Sequence, residues 1–308
     1  MELSLGLLIA LCGGALRIAT PLLLAALGET LCERAGVLNL GIEGTMVLSA
    51  FTGFVAAQLS GSLWLGLGAA ALTGVLLGLL MGFLSVTLKL NQHVAGLGVT
   101  LLASGLALYA FRLLYGGSST PPALETSFAQ FGFFRSTTVA PLFRQYGLTY
   151  LALLLVPLTG SLLTRTAFGL RLRSVGENPE AADLAGVDVA AVRYRALALG
   201  GALMGLAGAF LSLAQLGAFS HGIVSGRGWV AVALVIFGNW RPSRVLGGAL
   251  LFSFLQALQL RLQAEGVALP YEALLALPYL VTILILALTG RNASVPGALL
   301  KPYYREGA

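Results

Sequence analysis

Few side chains in this sequence could do chemistry, and most of those interrupt or border long apolar runs. Glu43 follows Asn39 in one glycine-rich stretch, and Arg227 follows Gln215 in another. An ionisable group is costly to bury among apolar residues, so it is a candidate for a functional role. We therefore predict that Asn39, Glu43, Gln215 and Arg227 line a polar path through the apolar part of the chain.

These residues also have structural interpretations. Glu43 could lie at a membrane interface, or it could fix a break in a helix by pairing with Arg34. Gln215 could belong to a solvated loop outside the membrane. The sequence leaves both kinds of interpretation open.

Nucleotide-binding and metal-binding motifs are missing. A phosphate-binding loop needs GxxxxGK[ST], and neither Lys89 nor Lys301 is preceded by that pattern. His93 and His221 are too far apart in the sequence for the usual zinc motifs. We therefore expect no catalytic residues, no metal, no cofactor and no ATP-hydrolysing site in this chain.

The composition predicts a membrane protein. Hydrophobic residues make up 57% of the chain and charged residues only 10%, whereas soluble domains carry about 25% charged residues. The apolar runs are continuous and about twenty residues long, which indicates membrane helices rather than alternating barrel strands. We expect an all-α membrane fold with about eight to ten transmembrane helices, some of them broken or half helices.

Arginine and lysine predict the orientation and divide the chain. If the loop at 164–189 is cytoplasmic, twelve of these residues lie on its side of the membrane and five on the other. This bias places the N-terminus outside and the C-terminus in the cytoplasm, and it also explains the basic net charge without nucleic-acid binding. The single transmembrane domain, 1–308, is predicted to contain a first half at 1–114, an external loop at 115–146, a connecting span at 147–163, the cytoplasmic loop at 164–189, a second half at 192–290 and a cytoplasmic tail at 291–308.

The two halves resemble each other weakly. A first span at Leu5–Leu27 is followed by a break at Gly28–Gly41, and a later span at Val192–Leu216 by a break at Gly217–Gly228. An apolar run follows each break. Because the two spans run in opposite directions, the halves would form an inverted repeat, which is typical of transport proteins. Coincidence in a glycine-rich chain is the alternative.

Other glycines recur every four residues, which favours close helix packing. They are Gly74, Gly78, Gly82, Gly201 and Gly205.

The loop at 164–189 contains a short capped helix. Asn178 is suited to the N-cap, Pro179 to the first helical position and Gly186 to the residue that ends the helix. A helix of about seven residues is too short to be stable alone. Its small or apolar residues could dock into a groove of a cytosolic partner, or the segment could be a solvated turn. These residues are Ala181, Ala182, Leu184 and Ala185.

Four segments resemble the permeases of ATP-binding-cassette importers for ribose, nucleosides and branched-chain amino acids. They are ERAGVLNLGIEGTMVLSAF (33–51), FGLRLRSVGENPEAADLAGV (168–187), SGRGWVAVALVIFGNWRPSRVLGGALLF (225–252) and YEALLALPYLVTILILAL (271–288). The branched-chain amino-acid branch usually has N-F-A-x-G where this chain has Asn39-Leu40-Gly41, so the resemblance is closest to the nucleoside and simple-sugar branch. Trp240 is bulkier than the residues that members of this family usually have after the glycine at position 238.

The resemblance implies a permease in a bacterial or archaeal plasma (inner) membrane that passes a nucleoside or simple sugar. It implies three kinds of partner. One is a second permease, which is either identical or related to this chain. The others are cytosolic ATPase subunits that hold ATP and magnesium, and an extracytoplasmic substrate-binding lipoprotein. The resemblance also implies an ATPase-coupling role for Glu177, Asn178, Pro179, Ala181, Ala182, Leu184 and Gly186.

Other classes of protein remain open at this point. The chain could be a branched-chain amino-acid permease of the same family. A secondary transporter would need an ion-coupling site, and acids within the spans are sparse. A membrane-embedded enzyme would need a cluster of catalytic polar residues, and a scaffold would need no ATPase partner.

Overall fold

The structure is a computed structural model that describes residues 5–116, 123–132, 139–265, 272, 275–276, 278–281, 283–284 and 294–304. Seven helices of the described residues are long and apolar enough to cross a membrane. The first half contains α1 (Leu5–Arg34), α2 (Ile42–Ser60), α3 (Leu63–Gly82) and α4 (Gln92–Tyr115).

The remaining elements follow in the same order along the chain. They are β1 (Gln130–Gly132), α5 (Ala140–Phe143), β2 (Arg144–Tyr146), α6 (Gly147–Arg165), α7 (Ala167–Glu177), α8 (Pro179–Leu184), α9 (Val189–Ala209), α10 (Arg227–Phe237) and α11 (Pro242–Ala264). The strands form one short antiparallel pair. The all-α membrane fold is confirmed. The predicted last span, Glu272–Leu288, lies partly outside the described residues, and those described between 272 and 284 are helical.

The predicted start of the first break is wrong. α1 continues through Gly28 to Arg34, and the chain is irregular only between Arg34 and Ile42. A Cβ at Gly28 would lie 2.5 Å from the carbonyl oxygen of Gly200 on α9, and a Cβ at Gly200 would lie 2.7 Å from that of Gly28. Gly28 therefore serves a close helix crossing rather than a break.

The predicted cytoplasmic loop contains one helix more than expected. α7 begins after Thr166, whose hydroxyl accepts a hydrogen bond from the amide of Gly169 at 3.0 Å. A Cβ at Gly169 would lie 1.9 Å from the carbonyl oxygen of Leu162, so only glycine fits the sharp turn between α6 and α7. This turn folds α7 against the end of α6.

Two spans end in π-helical turns, which the sequence did not predict. Phe83–Thr87 continues α3, and Phe210–Gln215 continues α9. The end of this second span is held by residues 124–128, because the amides of Leu124 and Phe128 donate to the carbonyls of Gly217 and Leu213 at 2.8 and 3.1 Å. Both halves contain a helix, a break and a helix in that order, and the inverted repeat stays a prediction.

Candidate functional site

Glu43 connects the two halves of the chain. It lies in the first turn of α2, and its carboxylate oxygens accept hydrogen bonds from the amides of Gly226 and Gly228 at 2.8 and 2.7 Å. These amides belong to the N-terminus of α10. A carboxylate is favourable there because it satisfies amides without helical partners and faces the positive end of the helix dipole. We call Glu43 and Gly226–Gly228 the break junction.

The glycines of the break junction are needed for this arrangement. Gly226 has φ +80°, a conformation that favours glycine. A Cβ at Gly228 would lie 2.7 Å from the Cα of Glu43. The backbones of α2 and α10 can therefore approach closely enough for one carboxylate to bind both amides.

Arg227 is half-buried at the same place. Its Nη1 donates to the carbonyls of Ile223 and Val224, both at 2.9 Å. The side chain thus holds the loop before α10 while it lies beside the carboxylate of Glu43. The structure brings Glu43 and Arg227 together, and the role of both in a polar path stays a prediction.

The other end of α10 is fixed to the end of α1. The indole N–H of Trp240 donates to Glu33 at 2.6 Å, and Nε of Arg34 donates to the carbonyl of Trp240 at 3.3 Å. α10 has eleven residues, so it covers about 16 Å, half the hydrocarbon thickness of a bilayer. It is a half helix whose N-terminus meets Glu43.

The pairing of Glu43 with Arg34 is therefore ruled out. Arg34 Nη1 lies 3.8 Å from the carboxylate of Glu177, at the opposite end of α10 from the break junction. The structure instead gives Glu43 a backbone partner.

A buried polar group that sequence analysis missed holds the first break. Glu29 accepts a hydrogen bond from the amide of Asn39 at 2.8 Å, and Gln92 accepts one from the amide of Leu38 at 2.8 Å. Nε of Arg193 donates to the carbonyl of Ala35 at 3.2 Å. Glu29 and Glu33 are both buried on α1, four residues apart. Two acids at that spacing lie on one face of a helix, and this pattern within an apolar span could have identified them as candidates.

Two residues of the predicted path lie elsewhere. Asn39 is 1% exposed and its side chain accepts from the amide of Gly41 at 3.0 Å. It is buried and shapes the break, and its part in a polar path stays a prediction. Gln215 is exposed at the end of its π-helical turn.

The short helix α8 has the predicted capping geometry. The side chain of Asn178 accepts from the amide of Ala181 at 3.0 Å, Pro179 is the first helical residue, and Gly186 has φ +81° after the helix end. Local sequence therefore defines this helix. We call Glu177–Val187 the coupling segment, after the role that the sequence resemblance predicts for it.

The coupling segment has one buried face and one exposed face. Ala182 is 4% exposed and packs in an apolar cluster with Leu31 and Val189, whereas Leu184 is 91% exposed. The prediction that Ala182 offers a docking surface is therefore wrong. Leu184 is the large apolar side chain that α8 presents outward.

Residues 294–304 support the coupling segment from the chain's own C-terminal part. The amide of Ala298 donates to the carbonyl of Gly176 at 2.9 Å, and the amide of Gly297 donates to Glu177 at 3.3 Å. The hydroxyl of Tyr303 donates to Asp183 at 2.8 Å. Glu177 and Asp183 therefore anchor the segment to residues 294–304, and α8 also contacts α7 and α9.

Among the described residues, no three His, Cys, Asp or Glu side chains could hold a metal ion together. The described part thus offers a membrane bundle with a half helix fixed at its N-terminus by Glu43 and a capped, exposed coupling segment.

Comparison with known proteins supports transport. Three relatives are named as permeases. A protein of Haloferax volcanii that is provisionally named as a glucose ABC transporter permease protein, TsgC13, is 43% identical to this chain over 94% of this chain and 95% of that protein. A guanosine ABC transporter permease protein of Bacillus subtilis is 35% identical over 93% and 94%. A nucleoside ABC transporter permease protein of Lactococcus lactis is 33% identical over 91% and 92%.

Each of these organisms also has a second permease for the same named substrate, which is 23 to 29% identical to this chain. No solved structure matches the chain. The model of the family "Branched-chain amino acid transport system / permease component" matches residues 12–287. This chain therefore belongs to that permease family and is a multi-pass protein of the plasma membrane.

Proposed function

We propose that this chain is the permease subunit of an ATP-driven importer and passes a nucleoside or a simple sugar. The observation that carries the proposal is the coupling segment, where a capped helix presents Leu184 outward and packs Ala182 against the rest of the chain. Such a segment can receive a push from a partner and transmit it to α9, which begins five residues after Leu184.

The partners in this proposal are cytosolic ATPase subunits, a second permease and an external binding lipoprotein. The ATPase subunits hold ATP and magnesium and contact the exposed face of α8, which places the N-terminus outside and the C-terminus in the cytoplasm. The second permeases of the three related organisms support a heterodimer of related chains.

The proposed path runs beside the break junction. The half helix α10 ends inside the membrane at Glu43, and broken helices at this depth are where transporters of other folds bind their substrates. Glu43 and Arg227 provide hydrogen-bonding groups there, and Gln215 lies toward the outer end of α9. A nucleoside or a sugar needs such groups, and the relatives named for guanosine, nucleosides and glucose favour this class over branched-chain amino acids.

Reconstituting the chain tests this function. Vesicles that contain it with its second permease and ATPase subunits, together with the binding protein, should take up labelled guanosine or glucose only when ATP is present. Omitting either the ATP or the binding protein should abolish uptake. Uptake by the purified chain alone, driven by an ion gradient, would contradict the proposal and favour a secondary transporter.

Leu184→Asp should uncouple the importer without unfolding it. A charge in an apolar contact of a partner groove is costly to desolvate, while a side chain 91% exposed in the free chain contributes little to its stability. We expect at least a tenfold loss of the ATPase subunits that co-purify with the chain, and an unchanged thermal midpoint.

Leu59→Asp is the matched control, because Leu59 is 84% exposed at the end of α2. It should leave ATPase co-purification unchanged. Normal co-purification and normal uptake with Leu184→Asp would overturn the coupling role of α8.

A further inference from the structure

A cavity of about 830 Å³ lies between α6, α7 and α11, beside the end of α1. We propose that it binds an anionic phospholipid, with the phosphate at its arginine-lined end and acyl chain along α6. The proposal is independent of the transported substrate and of the coupling role.

The charged end of the cavity carries four arginines. Arg34, Arg165, Arg173 and Arg241 line it, and none of the described residues that line it is acidic. Glu177 approaches only Arg34, at 3.8 Å. Nε of Arg173 is buried without a hydrogen-bond partner among the described residues. Guanidinium groups bind phosphate oxygens strongly, so a phosphodiester would supply hydrogen-bond acceptors to these arginines.

The other end of the cavity is apolar. Its wall on α6 includes Val156, Pro157, Gly160 and Leu163. The cavity follows α6 from Arg165 back to Val156, a distance of about 13 Å along a helix. Because α6 is a membrane span, this wall lies at the depth of the lipid chains.

This shape selects the occupant. Inorganic phosphate or an acidic side chain of a partner protein would fill only the arginine end and leave the apolar wall uncovered. A phospholipid fills both ends, because its anionic headgroup can bind the arginines while the attached acyl chain covers the apolar wall. Basic pockets between membrane helices bind anionic headgroups in this way.

The lipid preference of the purified full-length chain tests the proposal. The chain is released from nanodiscs of equal phosphatidylglycerol and phosphatidylcholine with identical acyl chains, and the retained lipids are measured by native mass spectrometry. We expect phosphatidylglycerol to be retained preferentially. Arg173→Gln with Arg241→Gln should lower this preference roughly tenfold or more, because each arginine near the headgroup favours an anionic lipid.

A matched pair of variants separates the cavity from general surface charge. Arg171 lies on α7 with Arg173, and Arg244 lies in the first turn of α11, which Arg241 precedes. Both Arg171 and Arg244 are exposed, and neither lines the cavity. Arg171→Gln with Arg244→Gln should therefore keep the wild-type preference. An equal loss of preference in both pairs would overturn the proposal, because it would indicate nonspecific attraction.

A further variant tests the acyl end without changing charge. A Cβ at Gly160 meets no atom within 4 Å, so Gly160→Leu can fold and fill the apolar part of the cavity. It should reduce phosphatidylglycerol retention, while excess glycerol phosphate should not displace the lipid from the wild-type chain. Displacement by glycerol phosphate would identify a soluble anion site and overturn the proposal.

The Arg173→Gln and Arg241→Gln pair also distinguishes a lipid from a protein partner. Unchanged lipid retention in this pair, with loss of the ATPase subunits, would indicate a protein contact and overturn the proposal.

Discussion

Replacing Glu43 with alanine is expected to abolish uptake and to destabilise the chain by about 3 kcal/mol. The carboxylate is half-buried and accepts the amides of Gly226 and Gly228. Hydrogen bonds to a charged group contribute about 1.5–3 kcal/mol each, and unmet buried amides add a desolvation cost. Thermal unfolding in detergent measures the stability, and uptake in the reconstituted importer measures the function.

The functional loss follows from the position of these bonds. α10 is a half helix that is fixed at one end by Trp240 and at the other by Glu43. Without the carboxylate, the N-terminus of α10 keeps no other side-chain acceptor among the described residues. The two halves then lose the contact that aligns their breaks beside the proposed path.

Two further variants make this expectation specific. Glu43→Gln keeps one acceptor oxygen but no charge, so it should fall between the wild type and Glu43→Ala in stability and in uptake. Glu125→Ala removes an exposed carboxylate from the segment 123–132 and should leave the thermal midpoint unchanged. An unaltered midpoint and normal uptake in Glu43→Ala would show that the junction is dispensable.

Local signals in the sequence predicted the ends of α8 and singled out Glu43. The capping geometry of Asn178 and Gly186 depends on a few neighbouring residues, so spacing alone identifies it. The acid after a glycine-rich stretch marked Glu43 because ionisable residues are rare in apolar spans. Its partners are backbone amides more than 180 residues away, and backbone donors leave no mark in a sequence.

The errors have a common physical origin. Gly28 and Ala182 have the local pattern of a break and of an exposed helix face, respectively. Their roles depend on contacts with distant parts of the chain, because Gly28 meets Gly200 of α9 and Ala182 packs in an apolar cluster with Leu31 of α1. Glycine permits a break and a close helix crossing equally well, so the type of residue does not distinguish them without the packing partner.

Gly74→Ala should strongly destabilise the helix bundle. A Cβ at Gly74 would lie 2.0 Å from the carbonyl oxygen of Gly201 and 3.0 Å from the Cα of Gly205. These atoms belong to the backbone of α9, so no side-chain rotation relieves the overlap. We expect destabilisation of about 3 kcal/mol or more, measured as the thermal midpoint in detergent.

Gly68 provides the control on the same helix. A Cβ there meets no atom within 4 Å, so Gly68→Ala should be neutral or slightly stabilising, because alanine favours a helix over glycine by up to about 1 kcal/mol. Equal midpoints for Gly68→Ala and Gly74→Ala would contradict the crossing geometry.

The partner glycine tests whether the two backbones truly touch. A Cβ at Gly201 would lie 2.1 Å from the carbonyl oxygen of Gly74, so Gly201→Ala should destabilise the chain as much as Gly74→Ala. Once one methyl group has separated the helices, the second meets less resistance, and the double variant should lose clearly less than the sum of the two. Strict additivity would mean that the two glycines act independently. α9 begins just after the coupling segment. Displacement of α9 by the added methyl group should therefore also lower ATP-driven uptake by the folded fraction of the variant.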